Sequence, residues 1–225
     1  MRSDLIVTDA ELKGVKPESD LADKARALLS QQTEFWEMAK SGYESLNDVE
    51  VKKLYPGGLD VKVQFNPGRI KSSSAKVDKK SIAERPCFLC SENLPEGQKA
   101  LAFKNYLILV NPFPIFPEHF TIPKLDHVPQ RIRDNFEDML ELTKQLGKYY
   151  TLFYNGPKCG ASAPDHFHFQ AGLKTFMPID ESYDEIIQNR GESFYTSSKI
   201  QVSGVSYELG KFISFESSSK KELVR

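Results

Sequence analysis

The spacing of apolar residues divides the chain into stretches of helical period and stretches of extended alternation. From about Glu18 to Leu46 the sequence is polar, with apolar positions at Leu21, Ala25, Leu28, Leu29, Phe35 and Met38, a spacing that predicts one amphipathic helix. After Pro56-Gly57-Gly58, alternation at Val61, Val63 and Phe65 followed by Asn66-Pro67-Gly68 predicts a strand and a turn. Lys99 to Phe103 and Tyr106 to Val110 predict two strands joined by a tight turn at Lys104-Asn105. The run Asn111 to Pro117 must then be a loop, because its prolines cannot donate to a ladder. A strand resumes at His119 to Ile122 and stops at Pro123. From Arg131 to Tyr149, Ile132, Phe136, Met139, Leu140, Leu142 and Leu146 recur at helical spacing and mark the clearest helix. Strands at Tyr150 to Tyr154 and His166 to Leu173 follow, separated by a loop of small residues from Asn155 to Asp165. A short helix around Tyr183 to Asn189 and strands at Ser198 to Val202 and Val205 to Phe215, turning near Gly210, complete the pattern. Strands on short turns with one long helix crossing over them predict an α+β fold built on an antiparallel sheet.

Composition narrows the function classes. The 225 residues carry 30 basic and 31 acidic side chains, a balance that argues against a broad nucleic-acid-binding surface and leaves only local anion sites. No apolar run reaches the length of a membrane span, and the first residues lack the apolar core of a signal peptide, so the expectation is a cytoplasmic protein with no membrane partner. Three cysteines do not make a disulfide framework. Two of them, in Cys87-Phe88-Leu89-Cys90, have a spacing that in a reducing compartment favours metal or redox chemistry, with packing of apolar thiols as the plain alternative.

The densest chemistry lies in His166-Phe167-His168-Phe169-Gln170. On an extended strand alternate residues share a face, so His166, His168 and Gln170 are expected to point together while the phenylalanines pack behind. Neutral imidazole is a nucleophile at physiological pH, an amide both donates and accepts, and neither repels a phosphoryl group. A bare H-x-H is also what a half-buried strand with two chance histidines looks like, so the surrounding residues decide.

They resemble a known family. The run from Asn111 through His119, Pro123 and His127 resembles the first signature of the histidine-triad (HIT-like) superfamily, and Asn155 to Gln170 resembles the second. The chain is most similar to the transferase branch, which holds galactose-1-phosphate uridylyltransferase, the diadenosine tetraphosphate phosphorylases and GDP-galactose phosphorylase. In that branch glutamine stands where the hydrolases carry a third histidine. The resemblance covers roughly Cys87 to Leu173. It implies one HIT-like domain over 1–225, with an N-terminal helical and strand extension at 1–68, a core at 69–175 and C-terminal strands at 176–225.

The resemblance further implies that His168 attacks the α-phosphorus of an NDP-sugar or dinucleoside polyphosphate, that Gln170 bonds a nonbridging oxygen, and that a phosphate acceptor takes the nucleotidyl group from a covalent intermediate. It implies a structural zinc on Cys87, Cys90, His127 and His166, with His119 as the alternative to His127. Substrate contacts are expected at Asn111, Asn155, Gly160 and Ser162. Lys158 and Arg69 are further candidates, each also readable as a solvated side chain. The loop from Gly160 to His166 is one residue longer than the family pattern, which puts Asn155 and Ser162 in question as phosphate contacts. Only one signature is present where uridylyltransferases carry two lobes, so either a homodimer supplies the second half or the site is simpler. A hydrolase and a non-catalytic, zinc-stabilised nucleotide-binding module are the rival readings.

Overall fold

The computed structural model describes residues 4–67, 78–207 and 210–224. Arg69 and most of the serine-rich stretch after it lie outside these residues. In chain order the elements are α1 (Leu21–Phe35), α2 (Glu37–Glu44), β1 (Glu50–Leu54), β2 (Val61–Phe65), α3 (Lys79–Glu84), β3 (Ala100–Phe103), β4 (Tyr106–Val110), β5 (His119–Pro123), α4 (Phe136–Leu146), β6 (Tyr150–Phe153), β7 (His168–Leu173), α5 (Pro178–Arg190), β8 (Glu192–Thr196), β9 (Gln201–Tyr207), β10 (Gly210–Glu216) and α6 (Lys220–Val224). The class is α+β, as strands on short turns with one long helix crossing over them predict. The chain divides into two compact units, Met1–Val49 with Asn66–Leu173 and Glu50–Phe65 with Lys174–Arg225.

The first unit is built on an antiparallel sheet ordered β3-β4-β5-β7-β6. β4 is buried along its whole length. Tyr106, Ile108 and Val110 of β4, Phe120 and Ile122 of β5, and Phe169 and Ala171 of β7 join Ala22, Ala25 and Leu28 of α1 and Leu142 and Leu146 of α4 in one core. Period-two alternation then sends His119 and Thr121 of β5, and His168, Gln170 and Gly172 of β7, to the opposite face. Register aligns the two sets, with His119 opposite Gly172, Thr121 opposite Gln170 and Pro123 opposite His168.

Two local departures from the sequence pattern matter for the site. The helix expected from about Glu18 to Leu46 is broken at Trp36, which takes extended angles (φ −114°, ψ 107°). The break sets the buried Trp36 indole against Gly97, where a Cβ would lie 2.9 Å from the ring, and starts α2 afresh. The strand expected from His166 begins at His168, and His166 lies in a bend before it. The three side chains of H-x-H-x-Q therefore do not share one strand face.

In the second unit β1 and β2 form a hairpin, and β10-β9-β8 form an antiparallel sheet against which α5 packs. The core of that packing holds Ile186 of α5 and Val205 of β9. β1 and β8 have no counterpart in the pattern reading; every residue of both is exposed, so neither carries an alternation of burial to be read.

Candidate active site and metal centre

On the sheet face opposite α1 and α4 the first unit holds a cavity of about 390 Å³. Its sheet wall is made by Leu109 and Val110, His119 and Thr121, and His168 and Gln170. Its other walls come from residues 88–95, the Asn111–Ile115 loop, residues 155–163, and Met38 of α2.

His168 is 5% exposed, and its ring lines this cavity. Its Nδ1 lies 2.9 Å from the backbone carbonyl of His166. A carbonyl can only accept, so Nδ1 carries the proton and Nε2 keeps the lone pair. Burial pushes the imidazole below its ordinary value, which favours the neutral ring. The backbone of His168 is held by a side chain in place of a neighbouring strand: Gln130 Oε1 accepts from the His168 amide at 2.8 Å, and Gln130 Nε2 donates to the His168 carbonyl at 3.0 Å. The same Nε2 reaches the Asn155 carbonyl at 3.0 Å, so one buried amide joins the strand to the loop that follows β6.

Gln170 is oriented by His119. The Ile115 amide donates to His119 Nδ1 at 3.3 Å, which makes Nε2 the N–H that donates to Gln170 Oε1 at 3.0 Å. With its oxygen so held, the Gln170 amide presents its NH2 as the donor toward the cavity. His119 is fixed in turn from α2: Tyr43 Oη donates to the His119 carbonyl at 3.0 Å and accepts from its amide at 3.1 Å. Phe116 packs edge-on to the His119 ring with centroids 5.0 Å apart, over Gly172, where a Cβ would lie 2.7 Å from the Phe116 ring. Asn111 also lines the cavity. Its Nδ2 donates to Thr121 Oγ1 at 3.0 Å, and its Oδ1 accepts from the Phe113 amide at 2.9 Å.

Cys87, Cys90, His127 and His166 bring four potential ligand atoms within 4.8 Å of one another. Cys87 Sγ lies 3.3 Å from His166 Nδ1, Cys90 Sγ 3.2 Å from His127 Nδ1 and 3.6 Å from His166 Nδ1. A tetrahedral ion bonded at about 2.3 Å to sulfur and about 2.0 Å to nitrogen spaces S and N ligands about 3.5 Å apart, so these atoms fit a cation between them. The outer nitrogens agree. His166 Nε2 lies 2.8 Å from the Lys124 carbonyl, which assigns the proton to Nε2 and frees Nδ1 for a metal. His127 Nε2 lies 3.9 Å from Asp165 Oδ2, and Arg85 pairs with the other oxygen of that carboxylate at 3.2 Å. Burial, and then the adjacent Cys87 thiol, push the Cys90 thiol up to about 12, so ionising it calls for a cation. His119, the alternative ligand, is instead bonded to Gln170.

Of the remaining expected contacts, Asn155, Gly160 and Ser162 line the cavity, and Gly160 adopts φ +85°, the left-handed region that favours glycine. Lys158 is exposed and is not among the lining residues. Gln130, Tyr43 and the orienting role of His119 have no sequence signal, since each acts across a distance in the chain that only register and packing bring together. Among the described residues, no helix is long and apolar enough to cross a membrane.

A family model described as "Domain of unknown function (DUF4922)" matches residues 28–173. No curated protein matches the chain by sequence. Among solved structures, the chain is similar to yeast Ap4A phosphorylase Apa2 in complex with Ap4A, at 20% identity and a TM-score of 0.50, over 81% of this chain and 66% of that one. The same enzyme in complex with AMP matches at 21% identity and a TM-score of 0.45, over 80% of this chain and 63% of that one. The chain thus spans just under two thirds of the length of the structures it matches, and the likeness is one of fold.

Proposed function

The chain belongs to the DUF4922 family, a domain of unknown function, and from the site above we propose that it is a nucleotidyltransferase of the phosphorylase type. Its donor would be a dinucleoside polyphosphate or an NDP-sugar, and its acceptor a phosphate. The observation that carries this reading is the pairing, in one cavity, of a neutral imidazole whose Nδ1 is bonded to its own chain and an amide whose oxygen is already held. The fold likeness to a phosphorylase supports it.

In the first step His168 Nε2 attacks the α-phosphorus. The N–P bond forms as the bridging P–O bond breaks, and the electron pair leaves with the departing nucleoside polyphosphate or sugar phosphate. The ring, still protonated at Nδ1, becomes a cation, and the His166 carbonyl stabilises it through the hydrogen bond already in place. In the second step an oxygen of the acceptor phosphate attacks the same phosphorus, and the N–P electron pair returns to Nε2. Two accessible displacements replace one difficult one. The leaving group is a stable anion, so it needs little general acid; the Gln170 NH2 serves by bonding the nonbridging oxygen on which charge builds. Asn155, Gly160 and Ser162 then serve the phosphates from the loop side, and Asn111 from the side of β4.

Cys87, Cys90, His127 and His166 form a donor set suited to zinc. With four protein ligands the ion leaves no position for water, so what it supplies is a structural cross-link. The reading is tested by turnover of a panel of dinucleoside polyphosphates and NDP-sugars with and without inorganic phosphate. Phosphorolysis predicts release of a nucleoside diphosphate only when phosphate is present. An equal rate of nucleoside monophosphate release in water alone would assign the chain to the hydrolases instead.

A further inference from the structure

The cavity has walls of two kinds. The sheet wall is regular, held by the β4, β5 and β7 ladders. Residues 88–95, the Asn111–Ile115 loop and residues 155–163 contribute the irregular walls, and among the described residues no helix or strand lies between α3 and β3 or between β6 and β7. The first of these segments carries two short turns, Cys90 N to Cys87 O at 3.3 Å and Asn93 N to Cys90 O at 2.9 Å, and is anchored at its far end by the buried Leu94.

Two of these irregular walls, 88–95 and 155–163, are attached to the cluster of Cys87, Cys90, His127 and His166. Phe88 and Leu89, the two residues between Cys87 and Cys90, line the cavity, and so does Asn93, whose side chain donates to the Cys87 carbonyl at 2.9 Å. On the other side, Ala163 lines the cavity three residues before His166 and packs with Cys87 and Leu89 in a small buried cluster. The Arg85–Asp165 ion pair at 3.2 Å joins the same two segments just outside the ligands.

We propose that metal at this cluster braces the 88–95 and 155–163 walls of the cavity, so that metal occupancy sets the affinity for the cavity's ligand. The choice of a nucleotide as that ligand rests on the function proposed above; the bracing does not. Bound metal would cross-link residues 87–90 to His127 and His166; without it the Phe88–Leu89 turn keeps its short hydrogen bonds, the packing of Leu89 on Ala163 and the contact of Arg85 over the Phe88 ring, none of which ties it to His127. A ligand that binds the ordered walls must then spend part of its binding free energy on ordering them. Linkage makes the effect reciprocal, with nucleotide raising metal affinity by the same factor.

The test compares the full chain loaded with zinc and stripped by chelator, using hydrogen exchange by segment and titration with AMP. On stripping, exchange is expected to accelerate at least tenfold in 87–95 and 155–163 while β4, β5 and β7 stay protected, and AMP affinity to fall by roughly 5- to 150-fold, the usual range of coupling between sites. Unchanged exchange in both segments overturns the bracing, as does uniform loss of protection, which would mean that the metal holds the whole fold. Equal AMP affinity in the two forms overturns the coupling. If zinc-loaded protein binds no AMP while the two walls still loosen on stripping, the bracing is supported and the nucleotide reading is what fails.

Discussion

His119 Nε2 donates to Gln170 Oε1 across 3.0 Å, and that contact decides which end of the glutamine amide faces the cavity. Glutamine can present either a donor or an acceptor to a phosphate, and only the donor helps. Replacing His119 by alanine frees the amide to turn. Formation of a nucleotidyl-enzyme should slow by roughly 5- to 150-fold, the equivalent of about 1–3 kcal/mol for a lost orienting hydrogen bond. Metal content, measured on the same preparation, should not change. A fall in bound metal would place His119 among the ligands instead.

Gln130 holds both backbone groups of His168 and the Asn155 carbonyl. Gln130→Leu keeps the approximate volume but leaves the buried His168 N–H and C=O without this partner, at about 1–3 kcal/mol for each unsatisfied group. A clear drop in thermal midpoint is expected, together with loss of adduct formation, because the strand that carries His168 loses its hold at the first residue. Retention of wild-type stability would show that water or a neighbouring group replaces the amide.

How much of this was legible in the sequence follows from the range over which each signal acts. Strands β4 and β5 and helix α4 show plainly because each buries a periodic row of apolar residues against one core. Of the candidate ligands, Cys87 and Cys90 were legible from their spacing and His127 and His166 through the family resemblance, and the structure brings the four side chains together. The helix break at Trp36 was not, since a tryptophan at an apolar position satisfies the helical period while the backbone turns to seat it against Gly97. Nor was the placement of His166 outside β7. Alternation treats H-x-H-x-Q as one strand face, but His166 bends toward the thiols while His168 and Gln170 line the cavity. The partners Gln130 and Tyr43 lie 38 and 76 residues from the histidines they hold, beyond the reach of any local pattern.

Asp165 faces His127 Nε2 with one oxygen and Arg85 with the other. Carboxylates that hold a ligating imidazole from behind typically contribute 10- to 100-fold to metal affinity. Asp165→Asn, which keeps the shape and removes the charge, is expected to weaken zinc binding by about that factor in competition with a chromophoric chelator. An affinity equal to that of the parent chain would reduce Asp165 to a partner of Arg85 alone.

In the proposed transfer, His168 Nε2 becomes bonded to phosphorus. The most direct measurement is intact-protein mass spectrometry after brief incubation with a dinucleoside polyphosphate or NDP-sugar in the absence of phosphate, on the parent chain and on His168→Gly. The proposed transfer predicts a mass increase of one nucleoside monophosphate less one water on the parent chain, lost when phosphate is added, and no increase on the glycine variant. An adduct that persists in His168→Gly would contradict it.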